Sequence, residues 1–438
     1  MKLDYSNLLN ETAGEIKLSE EQLDIKNIIE STNKHLFITG KAGTGKSTLL
    51  QDIKENTKKR CVVVAPTGVA AVNVGGQTIH SLFRLPPKFI TEEDINVGER
   101  TKKLLKAIDM VIIDEISMVR VELMDAIDIV LRKARSNNDP FGGVQIIMVG
   151  DLYQLPPVVK EEELLQYFTR KYGGIYFLNA KVWQRSSFEM YELKTVFRQE
   201  DIQFKHMLDC IREDRCSSET FNSLNERAKV SVPTNGVITL TSTNKIADQI
   251  NEKHLNQLYS DLFIYEAHIN GDFDQSSFPA ELSLRLKKGA QVMFVRNDRN
   301  LNRWVNGTLG HVHSLTRDEV KVDIKGEIHL IKKETWEKYR YNFDEKTNSI
   351  KAEIVASFTQ YPLKLAWAIT IHKSQGKTLD SVLIDLGTGA FACGQTYVAL
   401  SRCTSLDGIY LKRKITSKDI LVDPKIIDFM KRENERYC

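Results

Sequence analysis

The chain contains 438 residues, of which 42% are hydrophobic and 27% are charged. This composition is typical of a folded globular protein and excludes a collagen-like, low-complexity or disordered chain. The formal net charge is +3, from 61 Lys and Arg against 58 Asp and Glu, which is too small to indicate nucleic-acid binding by itself. One groove can still be locally basic, because the net charge averages over the whole surface.

The six cysteines and the first residues of the chain bear on its cellular compartment. No two cysteines form a Cys-x-x-Cys pair or a zinc-type spacing with histidine, which favours reduced thiols. Residues 1–18 lack the apolar core of a secretory signal. No apolar run approaches the roughly 18 residues that a membrane helix requires. We therefore expect a reducing compartment and no membrane partner.

Short Val/Ile-rich runs alternate with longer amphipathic segments along the first half of the chain. The apolar runs are 35–39, 61–65, 110–114 and 144–150, and the helix-like segments include 47–57 and 121–135. This alternation predicts a parallel sheet with helices on both faces. The pattern restarts after about residue 190, with apolar runs at 237–241, 365–370 and 382–386. The predicted fold class is therefore α/β with two domains, the first over 1–188 and the second over 189–285 and 361–438.

Two insertions interrupt these domains. Residues 286–360 contain short predicted strands at 291–295, 308–314, 320–324 and 327–331, separated by turn pairs such as Asn306-Gly307 and Lys325-Gly326. This spacing predicts a small antiparallel barrel inserted into the second domain. A shorter insertion at about 82–105 carries Leu85-Pro86-Pro87 and a charged stretch, and separates two strands of the first domain.

Residues 40–47 read Gly-Lys-Ala-Gly-Thr-Gly-Lys-Ser and match the complete G-x-x-x-x-G-K-[ST] pattern. The motif lies between a predicted strand and a predicted helix, the context that a phosphate-binding loop requires. In such a loop Lys46 reaches the β- and γ-phosphates and Ser47 holds Mg²⁺. The rest of the predicted nucleotide cradle is Gly43, Thr44, Gly45 and Thr48. The alternative interpretation is an ordinary glycine-rich turn between a strand and a helix.

Two further strand ends carry polar residues suited to nucleotide hydrolysis. Asp114 and Glu115 end an apolar run, so that Asp114 can bind the Mg²⁺ shell and Glu115 can polarise a water molecule. Gln154 follows the run at 144–150 and can contact the γ-phosphate or that water, or it can be a solvated loop residue. The carboxylates can likewise be surface groups. Because Asn244-Lys245-Ile246-Ala247-Asp248 misplaces the aspartate of a guanine-reading N-K-x-D motif, we expect ATP rather than GTP.

The whole set of segments, from residue 18 to 412, resembles superfamily 1 DNA helicases of the RecD-like branch. The remaining segments that carry the resemblance are 18–22, 65–71, 75–81, 155–158, 193–199, 240–244, 370–378 and 394–402. Residues 201–212 resemble the signature of the Pif (petite integration frequency) family, and their spacing predicts an amphipathic helix that we interpret as a structural brace. The resemblance implies two RecA-like domains, an SH3-like barrel, ATP and Mg²⁺ as cofactors, and 5′→3′ movement on single-stranded DNA.

The resemblance also implies roles for single residues at the nucleotide. Gln22 would read adenine, although Ser19 and Gln22 also form a helix-capping pattern. Arg198 and Arg402 would be arginine fingers that reach the phosphates from the second domain. Gln375 and Gly376 would approach the nucleotide. The alternative for each arginine is a surface salt bridge.

Single-stranded DNA would be gripped by residues of both domains. The implied DNA-binding residues are Pro66, Thr67, Gly68, Thr78, His80, Ser81, Leu155, Pro156, Thr241, Asn244, Asn306, Thr370, His372, Lys373 and Ser374. For Asn306 a role in the turn alone is equally compatible with the sequence. The insertion at about 82–105 would act as the wedge that separates strands.

The predicted function is an ATP-dependent DNA helicase that acts on single-stranded, forked or structured DNA as a monomer. The family's known settings are DNA repair and recombination, telomere maintenance and G-quadruplex DNA. Two alternatives stay open: a RecD-type motor subunit that works only in a nuclease complex, and a nucleotide-dependent switch without motor activity. An RNA motor also remains open, because gripping phosphates does not exclude ribose. We expect a cytoplasmic location in a prokaryote or a phage-infected cell.

Overall fold

The computed structural model describes residues 18–436, apart from 160, 200, 235, 274, 299–302, 345–346 and 348. The N-terminal segment on which the absence of a secretory signal was predicted lies almost wholly outside the described residues. Within them, no helix combines the length and apolar character that crossing a membrane requires.

The first domain is built on a six-stranded parallel sheet with the order β3-β2-β4-β5-β1-β6. Its elements are α1 (Glu20–Ser31), β1 (His35–Gly40), α2 (Lys46–Asn56), β2 (Cys61–Ala65), α3 (Gly68–Asn73), β3 (Gln77–Thr78), α4 (Ile79–Phe83), α5 (Glu99–Ala107), β4 (Met110–Ile113), α6 (Val121–Arg135), β5 (Gln145–Val149), α7 (Glu162–Tyr172), α8 (Lys181–Arg185) and β6 (Phe188–Leu193). The apolar runs predicted as strands at 35–39, 61–65, 110–114 and 144–150 all lie in this sheet.

Helices cover both faces of this sheet, which explains the unbroken apolar runs of its central strands. Successive side chains of β1 point to opposite faces. Leu36 and Ile38 pack with residues of α1 and α2, whereas Phe37 packs in the core formed with α5, α6 and α8. The predicted parallel sheet with helices on both faces is therefore confirmed.

The second domain is smaller and contains a four-stranded parallel sheet with the order β18-β7-β19-β20. Its elements, with those of the inserted region, are α9 (Ile202–Arg212), α10 (Ser218–Glu226), β7 (Ile238–Thr241), α11 (Asn244–Gln257), β8 (Phe263–Glu266), β9 (His268–Gly271), β10 (Ser283–Leu286), β11 (Gln291–Phe294), β12 (Leu309–Leu315), β13 (Val320–Ile324), β14 (Glu327–Ile331), β15 (Glu334–Asp344), β16 (Ser349–Gln360), β17 (Leu363–Leu365), β18 (Ala368–Thr370), α12 (Ile371–Ser374), β19 (Val382–Asp385), α13 (Gln395–Leu400), β20 (Ile409–Leu411) and α14 (Pro424–Arg436).

The predicted strand at 365–370 is wrong in one respect, because the chain changes sheet within it. Leu365 ends β17, which pairs antiparallel with β11 of the inserted sheet. Ala368 begins β18, which pairs parallel with β7 of the second domain. Both strands need apolar residues, so the sequence between them stays apolar and gives no sign of the change of sheet.

The inserted region spans β8 to β17 and contains two larger β units besides the antiparallel pair β8–β10. Five antiparallel strands in the order β14-β13-β12-β11-β17 enclose a core that includes Phe294 and Trp304, stacked 4.3 Å apart between ring centroids. The long β15–β16 hairpin instead pairs with β9 and rests on the first domain. Its Tyr341 is buried in the first domain's core, and Arg100 of α5 donates a 2.9 Å hydrogen bond to Asn342. The shorter insertion at 82–105 thus meets the larger one.

The chain ends by returning to the first domain. Ile426 and Met430 of α14 pack in the core formed with α5, α6 and α8, although the helix follows the second domain in sequence. The Lys425 ammonium donates a 2.6 Å hydrogen bond to the Gly173 carbonyl oxygen at the end of α7. The two domains are therefore joined by α14 as well as by the segment between β6 and α9.

Candidate nucleotide and DNA site

The phosphate loop connects β1 to α2, and its backbone conformation and close contacts require glycine at two positions. Gly43 and Gly45 have φ values of +84° and +78°, a region that favours glycine. A Cβ atom on Gly43 would lie 2.5 Å from the Cβ of Arg198, and one on Gly45 would lie 2.5 Å from Nε2 of Gln22. The loop is thus closely approached by two residues that the sequence assigns to the same nucleotide.

Lys46 begins α2 and folds back over the loop. Its Nζ donates hydrogen bonds of 2.6 and 2.9 Å to the carbonyl oxygens of Gly40 and Lys41. Burial lowers the pKa of Lys46 to about 8, and the nearby Asp151 and Glu115 carboxylates partly offset this. Ser47 and Thr48, which follow on the first turn of α2, are exposed. The Lys46 ammonium therefore lies at the phosphate loop. A bound phosphate would replace the loop carbonyl oxygens as its hydrogen-bond acceptor.

Asp114 and Glu115 follow β4 at the same edge of the sheet. Withdrawal from solvent raises the pKa of Asp114 to about 6 and that of Glu115 to about 7, the second also through the charge of Asp114. Glu115 has a φ of +50°, a left-handed conformation that non-glycine residues seldom adopt and that is typical of functional sites. Two crowded carboxylates of this kind are stabilised by a bound cation.

Gln375 of the second domain reaches across the cleft to this group. Its Nε2 donates 2.9 Å to Oε2 of Glu115 and 3.2 Å to Oε1 of Gln154. Gln154 is buried after β5, which excludes the solvated-loop interpretation in this conformation. Three of the predicted site residues, from two domains, are therefore in direct contact.

The two predicted arginine fingers enter the same cleft from the second domain's side. Arg198 donates a 3.1 Å hydrogen bond to the Ser401 carbonyl oxygen. Arg402 is almost completely buried and donates 2.8 Å hydrogen bonds to the Val398 carbonyl oxygen and the Ser401 hydroxyl. Burial lowers the pKa of both guanidinium groups, that of Arg402 to about 9. Their partners are backbone and hydroxyl oxygens rather than surface carboxylates.

A cavity of about 600 Å³ is lined by residues of this group. Its walls include the predicted residues Gln22, Gly43, Thr44, Gly45, Lys46, Ser47, Thr48, Asp114, Glu115, Gln154, Arg198, Gly376 and Arg402. Gln22 also forms the capping box of α1 with Ser19, and its Nε2 donates 3.0 Å to the Gly45 carbonyl oxygen. Sequence reasoning missed Phe197, Asp151 and Thr378, which line the same walls.

The hydroxyl residues predicted to touch DNA lie at the carboxyl ends of parallel strands. Thr67 follows β2, and Thr78 and Thr370 end β3 and β18. Each caps the next helix by accepting a backbone N–H hydrogen bond of 3.2 to 3.3 Å. Thr241 ends β7 and donates 3.0 Å to the Thr243 carbonyl oxygen, and Asn244 begins α11 and is exposed. The cap bonds leave the hydroxyl protons of the three capping threonines for other acceptors.

Other predicted DNA residues differ in their exposure. His80 and His372 are half-buried, which lowers the pKa of each and favours neutral rings at pH 7. Lys373 is exposed, whereas Ser374 is buried and donates 2.7 Å to the Ile371 carbonyl oxygen. Leu155 is fully buried in the second domain's core, so it has no free surface in this conformation. Pro66, Ser81 and Pro156 are half-buried.

The inserted region covers part of the predicted DNA path. A Cβ atom on Gly68 would lie 1.9 Å from the Ser277 hydroxyl. Gln77, beside Thr78, donates 2.6 Å to the Tyr339 carbonyl oxygen of the β15–β16 hairpin. Asn306 accepts a hydrogen bond from Lys377. These contacts involve Gly68 and Asn306, which are predicted DNA residues, and Gln77, which is next to the predicted Thr78.

Comparisons with known proteins agree with this architecture. The PIF1-like helicase family profile matches residues 17–221, and the profile of the DNA helicase Pif1 2B domain matches 273–315. The ATP-dependent DNA helicase Pif1 of Bdellovibrio bacteriovorus is 34% identical over 430 residues, which cover 95% of this chain and 92% of that protein. The chain belongs to the PIF1-like helicase family. It is therefore a helicase enzyme, and the expected membership is confirmed.

Helicases of this family from animals are longer. The human ATP-dependent DNA helicase PIF1 is 33% identical over 429 residues, which cover 94% of this chain but 63% of the human protein. The crystal structure of Bacteroides sp Pif1 in complex with ADP-AlF4 matches with a TM-score of 0.90 and 39% identity, over 96% of this chain and 98% of that chain. This likeness confirms the two RecA-like domains.

The conformation of the chain resembles one structure of the Bacteroides helicase more than another. The structure described as Bacteroides Pif1 bound to ssDNA covers the same 96% of this chain at 39% identity, but its TM-score is 0.69. Since identity and coverage are unchanged from the ADP-AlF4 complex, the lower score reflects a difference in conformation between the two Bacteroides structures.

Phe197 is the clearest site residue that the sequence did not single out. Its side chain is 57% exposed, lines the cavity beside Gln22, and its backbone N–H donates 2.9 Å to the Gly43 carbonyl oxygen. An exposed aromatic ring at this place offers a stacking surface for a base. The available signal was its position directly before Arg198 in the segment 193–199.

We expect Phe197→Ala to raise the KM for ATP by about tenfold with little change in kcat, because a base–aromatic stack contributes about 1–3 kcal/mol. Steady-state ATP hydrolysis measures both constants. Phe391→Ala is the matched control, since Phe391 is 61% exposed but is not among the residues that line this cavity. An unchanged KM in Phe197→Ala would show that the ring does not contact the base.

Proposed function

We propose that the chain is a motor that couples ATP hydrolysis between its two RecA-like domains to 5′→3′ movement on single-stranded DNA, and so unwinds duplex or structured DNA. The observation that carries this proposal is the shared cleft: Lys46 of the first domain and Arg198 and Arg402 of the second line one cavity. A cleft formed by two domains closes when a ligand binds both walls. Hydrolysis then releases the closure and separates the domains again.

Residues of the cleft have separate roles in this proposal. Lys46 and the loop N–H groups hold the β- and γ-phosphates, and the arginines stabilise charge that develops during transfer. Glu115 accepts the proton of the attacking water, which Gln154 and Gln375 orient. Ser47 and Asp114 would hold Mg²⁺, and the crowded Asp114–Glu115 pair fits a divalent cation. When bound, Mg²⁺ neutralises charge on the phosphate oxygens.

Single-stranded DNA would lie across the carboxyl ends of the strands of both domains. The residues proposed to grip it are Pro66, Thr67, Gly68, Thr78, His80, Ser81, Leu155, Pro156, Thr241, Asn244, Asn306, Thr370, His372, Lys373 and Ser374. DNA binding there requires the inserted region to move away from Gly68 and Gln77. It also requires Leu155 to become exposed from the second domain's core. The solved relatives include Bacteroides Pif1 bound to ssDNA and a structure of two coordinating Pif1 helicases at forked dsDNA. Those structures support DNA as the track and leave the proposed monomer to be tested.

We expect single-stranded DNA to stimulate ATP hydrolysis by the purified chain at least about tenfold, as a motor requires. The measurement compares kcat with and without an oligothymidine, and the stimulation should fall with salt because phosphate contacts release counterions. A nucleotide-dependent switch would hydrolyse ATP at one rate in both conditions. A matched RNA oligomer tests the RNA motor.

A further inference from the structure

Helix α9 carries two charged side chains that reach from the second domain to the first. Oδ2 of Asp209 lies 2.7 Å from Nζ of Lys41, and Nη2 of Arg212 lies 3.2 Å from Oδ1 of Asp151. Residues three apart on a helix share one face, so a single face of α9 makes both contacts. The sequence analysis interpreted this helix only as a structural brace.

The rest of α9 is fixed to the second domain. Phe204, Leu208 and Ile211 are buried in that domain's core, with Leu240, Ile384 and Leu400 among their neighbours in the cluster. Asp201 caps the helix by accepting N–H hydrogen bonds of 2.8 and 3.1 Å. The two ion pairs therefore connect a helix packed in the core of one domain to loops of the other.

The first ion pair ends on the phosphate loop. The carbonyl oxygen of Lys41 accepts hydrogen bonds from Nζ of Lys46 at 2.9 Å and from the Thr44 hydroxyl at 3.0 Å. A movement of Asp209 that pulls on Lys41 would therefore shift the backbone that positions Lys46. The Lys41 and Asp209 side chains are about one-third exposed, so this pair is partly screened by solvent.

The second ion pair is buried and ends on the loop that follows β5. The Arg212 side chain is 2% exposed and that of Asp151 is 0% exposed. The guanidinium also lies 3.4 Å from Glu192 and 4.2 Å from the centre of the Tyr153 ring. A buried ion pair of this kind is costly to break from one side, because the remaining charge loses its partner.

Asp151 in turn sets the geometry of the loop beside the nucleotide. Its Oδ1 accepts from the Tyr153 N–H at 3.1 Å, and its Oδ2 accepts from Nε2 of Gln154 at 3.3 Å. Gln154 contacts Gln375 across the cleft. Asp151 also lines the nucleotide cavity, so its charge, if not compensated by Arg212, would repel a phosphate there.

We propose that Asp209 and Arg212 are positioning residues that tie the phosphate loop and residues 151–157 to the second domain. Closure of the cleft then moves both loops together, so that the state of the bound nucleotide alters the position of the predicted DNA residues Leu155 and Pro156. This inference rests on the proposed function, because it assigns to α9 the coupling of that same ATP site to DNA.

The test measures kcat for ATP hydrolysis by the full chain with and without an oligothymidine. Arg212→Gln should lower the stimulation by DNA about tenfold, since residues 151–157 lose their link to α9. Arg212→Lys should lower it less, because a lysine keeps the charge without the planar fork. Adding Asp151→Asn to Arg212→Gln should recover about threefold, because the unpaired buried carboxylate is removed.

The partly exposed Lys41–Asp209 ion pair gives an independent test of the inference. Asp209→Asn and Lys41→Gln should each lower the stimulation about twofold, and the double variant should be no worse than either single variant. Arg215→Gln is the matched control, because the 62% exposed Arg215 side chain pairs with Glu213 of its own segment. It should keep the wild-type stimulation. If Arg212→Gln lowers the thermal stability markedly, the variants of Lys41 and Asp209 test the inference instead.

Two results would overturn the inference while leaving the motor intact. One is full DNA stimulation in Arg212→Gln with wild-type thermal unfolding. The other is additive losses at Lys41 and Asp209 together with no recovery on adding Asp151→Asn. A wild-type chain whose ATP hydrolysis ignores DNA would instead contradict the proposed function itself, so the two failures are distinguishable.

Discussion

Lys46→Ala should abolish DNA-stimulated ATP hydrolysis while single-stranded DNA still binds within about threefold of wild-type affinity. The ammonium of Lys46 is the cation that the first domain places over the phosphate loop, within 2.9 Å of two loop carbonyl oxygens. Removing it leaves the β- and γ-phosphates without their principal positive partner. The proposed DNA contacts are on other loops, so their affinity should be spared. Steady-state hydrolysis and fluorescence anisotropy of a labelled oligothymidine measure the two effects.

A lysine that lies outside the cleft provides the control for Lys46. Lys54 also belongs to α2, and its Nζ donates to the Val74 and Gly75 carbonyl oxygens, away from the cavity. Lys54→Ala should therefore hydrolyse ATP at close to the wild-type rate if it folds. Residual DNA-stimulated hydrolysis above about 1% in Lys46→Ala would contradict the assignment of the phosphate site.

Arg402→Lys should lower kcat for ATP hydrolysis by about a thousandfold without abolishing ATP binding, the size expected when an arginine finger is lost. Lysine keeps a positive charge but cannot present a planar fork to the phosphate oxygens. The same loss is expected of Arg198→Ala. Because both arginines belong to the second domain's wall, the defect should appear in single-turnover hydrolysis and only weakly in equilibrium binding of a fluorescent ATP analogue.

An arginine on the outside of the second domain serves as the comparison for this pair. Arg413 pairs with Asp419 at 2.5 Å and is one-third exposed. Arg413→Lys should keep kcat within about twofold. Wild-type hydrolysis in Arg402→Lys and Arg198→Ala would show that the second domain does not complete the ATP site, and a thousandfold loss in Arg413→Lys would show that the effect is not specific to the cleft.

The nucleotide site was predictable because its residues belong to short continuous motifs. Residues 40–47 specify a loop, and the carboxylates after β4 are adjacent in sequence, so neither needs a long-range contact to be recognised. The arginines required the resemblance to a family, since Arg198 and Arg402 are far apart in the sequence. They are brought together by the hydrogen bond from Arg198 to the Ser401 carbonyl oxygen and by the packing of α13 against the first domain's loop. Tyr397 of α13 accepts a 3.0 Å hydrogen bond from the Ala42 N–H.

The DNA residues were harder to place because they depend on how the domains are arranged. Leu155 follows a strand of the first domain but is buried in the second domain's core, so its burial depends on the contact between domains rather than on the local sequence. Asn306 contacts Lys377, a contact between distant segments that no periodicity reports. The change of sheet within 365–370 was missed because both strands are apolar. Phe197 was missed because only Arg198 was assigned a role in the segment 193–199.

Strand displacement by the purified chain alone tests the proposed motor most directly. The measurement compares two duplexes of equal sequence, one with a 5′ single-stranded tail and one with a 3′ tail, at saturating ATP and Mg²⁺. We predict rapid release of the strand from the 5′-tailed duplex and release from the 3′-tailed duplex at the rate of an ATP-free control. Preference for the 3′ tail would contradict the direction, and no ATP-dependent release from either duplex would contradict the motor and favour a subunit that works only within a larger complex.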